Sequence, residues 1–393
     1  MRLALKYRAY PTSAQITRIE NSFSMCRHLF NWNLQERIEV YQKEGRSVSY
    51  YDQQNALPDL KKEKPWFKGV YSLVLQDVLR RLDGAFQKFF KEKIGFHKFK
   101  KKGQWNSITY TDHRKRPEDG FLELSKIGRL KIVYHREIPE NAEIKTLSII
   151  KEGDKWFACF SVELPDPPEF KCRLATAIGI DLGLQHFVYT SDKQSVESPK
   201  ELQRKLKDLK RLQRKLSKTP KRTAQYYKVL KALQKVYYRI SCKRDDFLYK
   251  TARGLLLDVD LIVHENLNIL PMLKRPELKL DEESNQYLPN GASRKANHHR
   301  AILDAAWRKF LSILAHVAKK LGKLVIGVDP KLTSQTCSNC REIVWKALST
   351  RTHNCPHCHY KADRDENAAI NILRLGLESL GIPLEALNRT LCV

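Results

Sequence analysis

Apolar and polar residues alternate through residues 2–10, RLALKYRAY, which predicts a strand ended by Pro11 and Thr12. From Ser13 the period lengthens, and Ile16, Ile19, Phe23, Cys26 and Phe30 fall on one helical face. A second helix is predicted over 72–92, with Val74, Val78, Leu82, Phe86 and Phe89 inward and Gln76, Arg80 and Arg81 on its polar side. The stretch DLKKEKPWFKG between them is a polar connection broken at Pro65. Period two returns from 120 to 165 in FLELSK, GRLKIVYH, IKTLSIIKEG and KWFACFSVEL. Four short strands split by Gly and Asp turns suit a small antiparallel barrel or sheet, which the first strand can join. Pro165, Pro167 and Pro168 then mark a linker.

Beyond the linker, Ala177 to Ile180 are continuously apolar, as in a strand covered on both faces, and the run ends at Asp181 and Gly183. Residues 199–250 read as two helices. The first carries Leu202, Leu206, Leu209, Leu212 and Leu216 as its stripe, the second Tyr226, Leu230, Leu233, Val236, Tyr237 and Ile240. With a polar link around Pro220 they form a hairpin whose outer faces are rich in Lys and Arg. Such faces are solvation in the usual case and a floor for a nucleic-acid duplex in the other. Leu255–Val263 is a further apolar strand that ends in HENLNI, so Glu265 stands at its exit. Residues 272–300 have no clear period and read as a mobile loop. A helix over 301–321 follows, with Leu303, Trp307, Phe310, Leu314, Val317 and Leu321 inward, and then a strand in LVIGVDP (324–330). In ENAAINIL, Ala368, Ala369, Ile372 and Leu373 recur at helical spacing.

Composition narrows the partner. The 393 residues suffice for two or three domains, and 72 Lys and Arg against 44 acids give a formal charge of +28. That surplus suits a polyanion, because phosphate binding releases counterions. A membrane surface is disfavoured, since no run of about twenty apolar residues exists and no basic amphipathic helix stands alone. The start, MRLALKYRAYPT, lacks a secretion signal, and nine cysteines with four in a metal pattern fit a reducing compartment. A soluble, cytoplasmic protein is expected. Cys26, Cys159, Cys172, Cys242 and Cys392 are scattered and read as core or surface thiols.

Candidate chemistry lies in three places. Cys337 and Cys340 form one C-x-x-C and Cys355 with Cys358 a second, a spacing that suits two knuckles closing on one structural zinc. The alternative is four unrelated cysteines. Asp181, Glu265 and Asp365 each enter or leave an element at one edge of an α/β domain, with Asp363 beside the last. Taken singly, each is a turn or cap residue. Clustered, they repel and raise one another's pKa unless cations intervene, and magnesium is the natural cation for oxygen ligands. Two such ions about 4 Å apart serve phosphodiester hydrolysis. Third, GFHKFKKKGQWNSITY (95–110) interleaves aromatics with Lys98, Lys100, Lys101 and Lys102, a mixture that stacks bases and grips phosphates or is simply an anchored basic loop.

The order GIDLG, HENL and TSQTCSNC…CPHC…DRDENAAINI resembles the TnpB (OrfB) family of insertion sequences, relatives of type V CRISPR effectors. YRAYPT, KFKKKG, DKWFACF, the hairpin at 200–250 and DAAW at 304–307 extend the resemblance over nearly the whole chain. It implies an RNA-guided DNA endonuclease that uses a guide RNA from the transposon end and cuts double-stranded DNA beside a short flanking motif. The implied catalytic acids, holding two magnesium ions, are Asp181, Glu265 and Asp365, with Asp363 an auxiliary or structural neighbour. The implied architecture is a wedge-type β-barrel (1–12 and 106–168), a helical recognition lobe (13–105), a RuvC-like RNase H fold (173–332 and 364–393, hairpin 199–250 inserted) and a zinc ribbon (333–363). Gln76, by its place in the lobe, is a candidate contact to the flanking motif. Three departures stand out: Arg341 where a Gly often follows the second cysteine, Tyr249 where a His is common, and a longer, more polar 272–300 loop. The alternatives are a guided DNA-binding regulator without cutting activity, an accessory transposition protein, and a transposase that joins strands itself. Monomer and dimer are equally compatible with the sequence.

Overall fold

In the computed structural model the alternation of residues 2–10 becomes β1 (Arg2–Tyr10), with Leu3, Leu5, Tyr7 and Ala9 buried. The structure describes residues 1–92, 95–166, 175–281, 286–347 and 350–383, which divide into units 1–166 and 167–393. Part of the predicted linker (Pro167 and Pro168), Cys172 and Cys392 lie outside the described residues.

In the first unit, Thr12 and Gln15 exchange hydrogen bonds in a capping box that starts α1 (Ser13–Glu44), and Gly45 ends it at φ 65°. Short helices α2 (Tyr50–Asn55) and α3 (Leu57–Glu63) and a 3-10 turn lead to α4 (Ser72–Glu92), at the predicted bounds. Strands β2 (Ser107–Tyr110), β3 (Phe121–Leu124), β4 (Gly128–Ile132), β5 (Glu143–Glu152) and β6 (Lys155–Glu163) join β1 in one sheet of order β2-β5-β6-β1-β4-β3. The first strand pairs antiparallel with β6 from Arg2↔Glu163 to Ala9↔Trp156. The sheet curls, but its ladder stays open, with β2 and β3 at the ends. The Tyr110 hydroxyl, donating to the Ser125 carbonyl at 3.1 Å, ties the β2 end to the turn after β3. Phe23, Cys26, Leu75, Leu79, Leu147 and Phe160 belong to one continuous core under it.

The second unit has a five-stranded sheet of order β13-β10-β7-β8-β9. Its strands are β7 (Ala177–Asp181), β8 (His186–Thr190), β9 (Ser195–Glu197), β10 (Leu261–Glu265) and, further on, β13 (Leu324–Val328). Strand β10 runs parallel to both neighbours, β13 and β7, and β8 and β9 extend the sheet antiparallel. Helices α5 (Glu201–Lys218) and α6 (Ala224–Leu255) form the hairpin, around a small core of Leu209, Leu233 and Ile240. They are followed by α7 (Ile269–Met272), the pair β11 (Lys279–Leu280) and β12 (Tyr287–Leu288), α8 (Ala292–Ala305) and α9 (Trp307–Leu321). Strands β14 (Thr352–Asn354) and β15 (Lys361–Asp363) precede α10 (Arg364–Ser379). One sheet face, with Ile178, Ile180 and Ile262, packs on α6 and α9 through Leu248, Phe310 and Leu314. The other, with Ala177, Leu261 and Val263, packs on Ile372, Leu373 and Leu377 of α10.

Several sequence expectations change. The strand placed at Leu255–Val263 begins only at Leu261, because Leu255 still closes α6. The 272–300 segment is not a loop throughout, since α8 starts at Ala292. The helix expected at 301–321 is two helices, broken where Ala306 turns left-handed at φ 54°. That break rotates Leu303 out to 57% exposure, and Leu321 is exposed at the helix end. Tyr237 is likewise exposed, accepting from Gln213 Nε2 at 2.8 Å, while Val229, outside the expected stripe, is buried. Among the described residues no helix is long and apolar enough to cross a membrane.

Candidate active site and cysteine cluster

Strand periodicity decides where the first acid points. Ala177, Gly179 and Asp181 share the face that α10 covers, and at Gly179 an added Cβ would lie 2.1 Å from the Ala369 carbonyl. The missing side chain lets α10 lie directly on β7. This close approach carries Asp365, in the first turn of α10, to Asp181 at the end of β7. Glu265 ends the neighbouring strand β10 on the same face as Leu261 and Val263. Three acids far apart in the chain therefore converge.

Their electrostatics reflect the proximity. Burial, then the charges of Glu265 and Asp365, raise Asp181 to about 8, against the lowering influence of the Arg364 guanidinium. Glu265 is also raised, chiefly by burial, while a hydrogen bond from Thr333 Oγ1 and the charge of Arg364 lower it. Asp365 is buried, with Arg351 Nη1 and Arg364 Nε each 3.6 Å from Oδ1. Asp363 acts on the helix instead, where its Oδ1 accepts the Asp365 amide at 2.7 Å and caps α10. The acid set offers hard oxygen donors of the kind that suit divalent cations such as magnesium, with Arg351 and Arg364 alongside, although among the described residues only the four cysteines are gathered closely enough to form a metal-ligating group.

The four cysteines also come together, with all their Sγ atoms within 4.8 Å of one another. Cys337 and Cys358 stand 3.7 Å apart and Cys340 and Cys355 3.5 Å. Thiolates about 2.3 Å from a tetrahedral ion lie about 3.8 Å from each other, so the cluster can hold a metal such as zinc. The Cys358 thiol is drawn down to about 6 by the Asn339 side chain and the Tyr360 amide. Cys340, although the Glu342 amide lowers it, is pushed up by burial and by its hydrogen bonds with the other sulfurs. Arg341 sits at φ 70° and donates its amide to the Cys337 carbonyl at 3.0 Å. His359 repeats this at φ 59° in the second knuckle. Each non-glycine residue there stores about 1–2 kcal/mol of backbone strain.

Polar side chains lace the cysteine segment to α10. Asn367 accepts the Ser338 amide at 2.9 Å and donates to the Thr336 carbonyl at 2.8 Å. Asn371 donates to the carbonyls of Thr333 and Thr336 at 2.9 and 2.7 Å. The same turn presents the Thr333 hydroxyl to Glu265, so the cysteine cluster and the acids share one scaffold. Sequence reasoning missed Thr333, Arg351, Arg364, Asn367 and Asn371. A signal existed for the asparagines: two polar residues four apart on an otherwise apolar helix face.

The basic candidates lie in the first unit. Lys98, Lys101 and Lys102 are exposed, whereas Lys100 is half-buried, with Nζ 5.6 Å from the Phe30 ring. Its backbone is pinned by Asn31, which accepts the Lys100 amide at 2.8 Å and donates to its carbonyl at 3.0 Å. Gln76 is half-buried on α4. Cys26 is a core thiol, Cys159 is half-buried and Cys242 exposed.

Family models match three parts of the chain: "Probable transposase" over residues 159–275, "Cas12f1-like, TNB domain" over 307–372 and "Helix-turn-helix domain" over 1–46. The last stretch here is one strand and one uninterrupted 32-residue helix, without a helix-turn-helix. A Streptomyces pristinaespiralis protein named "Putative RNA-guided DNA endonuclease" is 31% identical over 95% of this chain and 89% of its own. An Escherichia coli K12 protein named "Putative RNA-guided DNA endonuclease InsQ" is 27% identical over 95% of this chain and 92% of its own. Among solved structures, CasPhi-2 (Cas12j) bound to crRNA aligns with 96% of this chain and 98% of that chain at 10% identity and a TM-score of 0.45.

Proposed function

The chain belongs to the TnpB (OrfB) family, and from that premise we propose that it is an RNA-guided DNA endonuclease. The observation that carries the reading is the convergence of Asp181, Glu265 and Asp365, with Asp181 raised by burial and then by the charges of the other two. In this reading residues 173–332 and 364–393 are a RuvC-like nuclease, 333–363 a zinc ribbon, 13–105 a recognition lobe, and 1–12 with 106–168 a wedge built on the curled sheet. Base pairing with a transposon-end RNA selects the target, while the protein reads duplex shape and a short flanking motif.

Each acid has its own support. Asp181 ends a buried strand, Glu265 is oriented by Thr333, and Asp365 is fixed on a capped helix. Together they hold magnesium, which when bound activates water and stabilises the leaving oxygen of a phosphodiester. Arg364 balances charge inside the cluster, and Arg351, half-exposed beside Asp365, offers its remaining donors to the substrate phosphate. The four cysteines hold zinc and brace the turn that orients Glu265.

The test begins with sequencing of RNA that copurifies with the protein expressed from its native locus. The complex is then incubated with a randomised-flank plasmid library and magnesium. A discrete RNA with a variable end, and cleavage of matching plasmids beside one flank, is the expected result. Asp181→Asn, Glu265→Gln and Asp365→Asn should each lower cleavage by at least a thousandfold and leave RNA and target binding intact. Bound RNA without cleavage would move the protein to the guided-regulator class.

A further inference from the structure

Tyr189 stands opposite Asp181 in the antiparallel β7–β8 ladder, so the two side chains leave the sheet on the same face. Its ring is braced edge-on by His186, at 5.6 Å between centroids and 73° between planes. His186 is fixed in turn through Nδ1 to Glu197 at 2.7 Å. The phenol thus lies on the sheet face that α10 covers, within electrostatic reach of Glu366, Asp363 and Asp365. Burial first, then those three charges in that order, raise its pKa above the ordinary value. Glu366 is itself buried and pairs with Lys193 at 3.6 Å.

A phenol hydroxyl on this face is a hydrogen-bond donor among groups that otherwise only accept. A phosphodiester brought to the same acids is repelled by them and is held where cations and hydrogen-bond donors face it. Arg351 approaches Asp365 from the cysteine-bearing segment, and Tyr189 stands beside Asp181 on β8. We propose that the Tyr189 hydroxyl is a contact for the scissile phosphodiester, donating a hydrogen bond to a non-bridging oxygen and fixing the phosphate against the three acids. This rests on the nuclease reading above. A tyrosine that merely oriented a carboxylate would behave differently, and the two roles separate in the metal dependence.

The test uses the guided complex of the full chain with Tyr189→Phe, which keeps the ring and its contact to His186. Hydrogen bonds to charged groups are worth about 1.5–3 kcal/mol, so single-turnover cleavage at saturating magnesium should fall about tenfold to a hundredfold. Melting temperature, target binding measured in calcium, and the half-saturating magnesium concentration should stay unchanged. A phosphorothioate at the cut linkage, a poorer acceptor, should slow the wild type more than Tyr189→Phe. Cleavage at the wild-type rate, or a rate restored simply by more magnesium, would overturn the phosphate contact and leave the nuclease reading standing. A wild-type complex that binds its target and leaves it uncut would overturn both.

Discussion

Burial and two neighbouring carboxylates hold Asp181 near pH 8 in the metal-free protein, far above its ordinary 3.8. The sign follows from linkage. Between about pH 4 and 8 the folded state keeps a proton that the unfolded chain has lost, so stability falls as pH rises through that window. With a chelator present, the melting temperature should therefore drop from about pH 5 to pH 8. Magnesium should flatten the profile by taking the place of the proton, and Asp181→Asn should remove that share of the slope. A chelated wild type and Asp181→Asn with the same pH profile would contradict the shift. At this scale the sequence was informative about identity and silent about environment. DRDENAAINI names the acids, yet only the packed site shows that Asp363 caps, Asp365 faces Asp181, and Arg364 tempers the cluster.

Among the elements, the contact between α10 and β7 decides whether a site exists at all. Gly179→Ala would drive a Cβ to within 2.1 Å of the Ala369 carbonyl and 2.7 Å of the Leu373 amide. Backbone atoms cannot turn aside as a side chain can, so the helix must shift, at a cost of about 1–3 kcal/mol. Thermal unfolding should report that loss, and cleavage should fall further than stability does, because Asp365 rides on the displaced helix. The cysteine cluster makes a second such link, through Thr333 and the two asparagines. Cys355→Ser should release bound zinc, measured by metal analysis. It should also cut the nuclease rate well below what its melting temperature explains, since Glu265 loses its orienting hydroxyl. Full activity in a zinc-free variant would refute the coupling. Strand and helix periods foretold most elements, and they failed at Ala306, where a left-handed residue splits one predicted helix into two.

For the whole molecule, a formal charge of +28 makes electrostatics the first term in any encounter with nucleic acid. Non-specific DNA affinity should fall about a thousandfold or more between 50 and 200 mM salt if six or more phosphates are contacted, a slope that filter binding measures directly. Charge reversal at Lys98, Lys101 and Lys102, which are exposed, should reduce the slope if that basic stretch lies on the nucleic acid. The same change at Lys100, half-buried against Phe30, should lower stability as well.

The sequence alone pointed to a polyanion partner through its charge, to candidate metal knuckles through cysteine spacing, and to candidate acids through their places at element ends. These are local or additive properties, and a chain carries them wherever it folds. Tertiary structure alone decided which acids meet, because convergence depends on a glycine that admits a helix to a strand and on register across two ladders. It also decided that the first sheet curls without closing, since closure is set by strand order and stagger rather than by any single strand's pattern. Arg351, Thr333 and Tyr189 are placed in the same way: each is ordinary in its own segment, and only the fold sets it beside one of the acids.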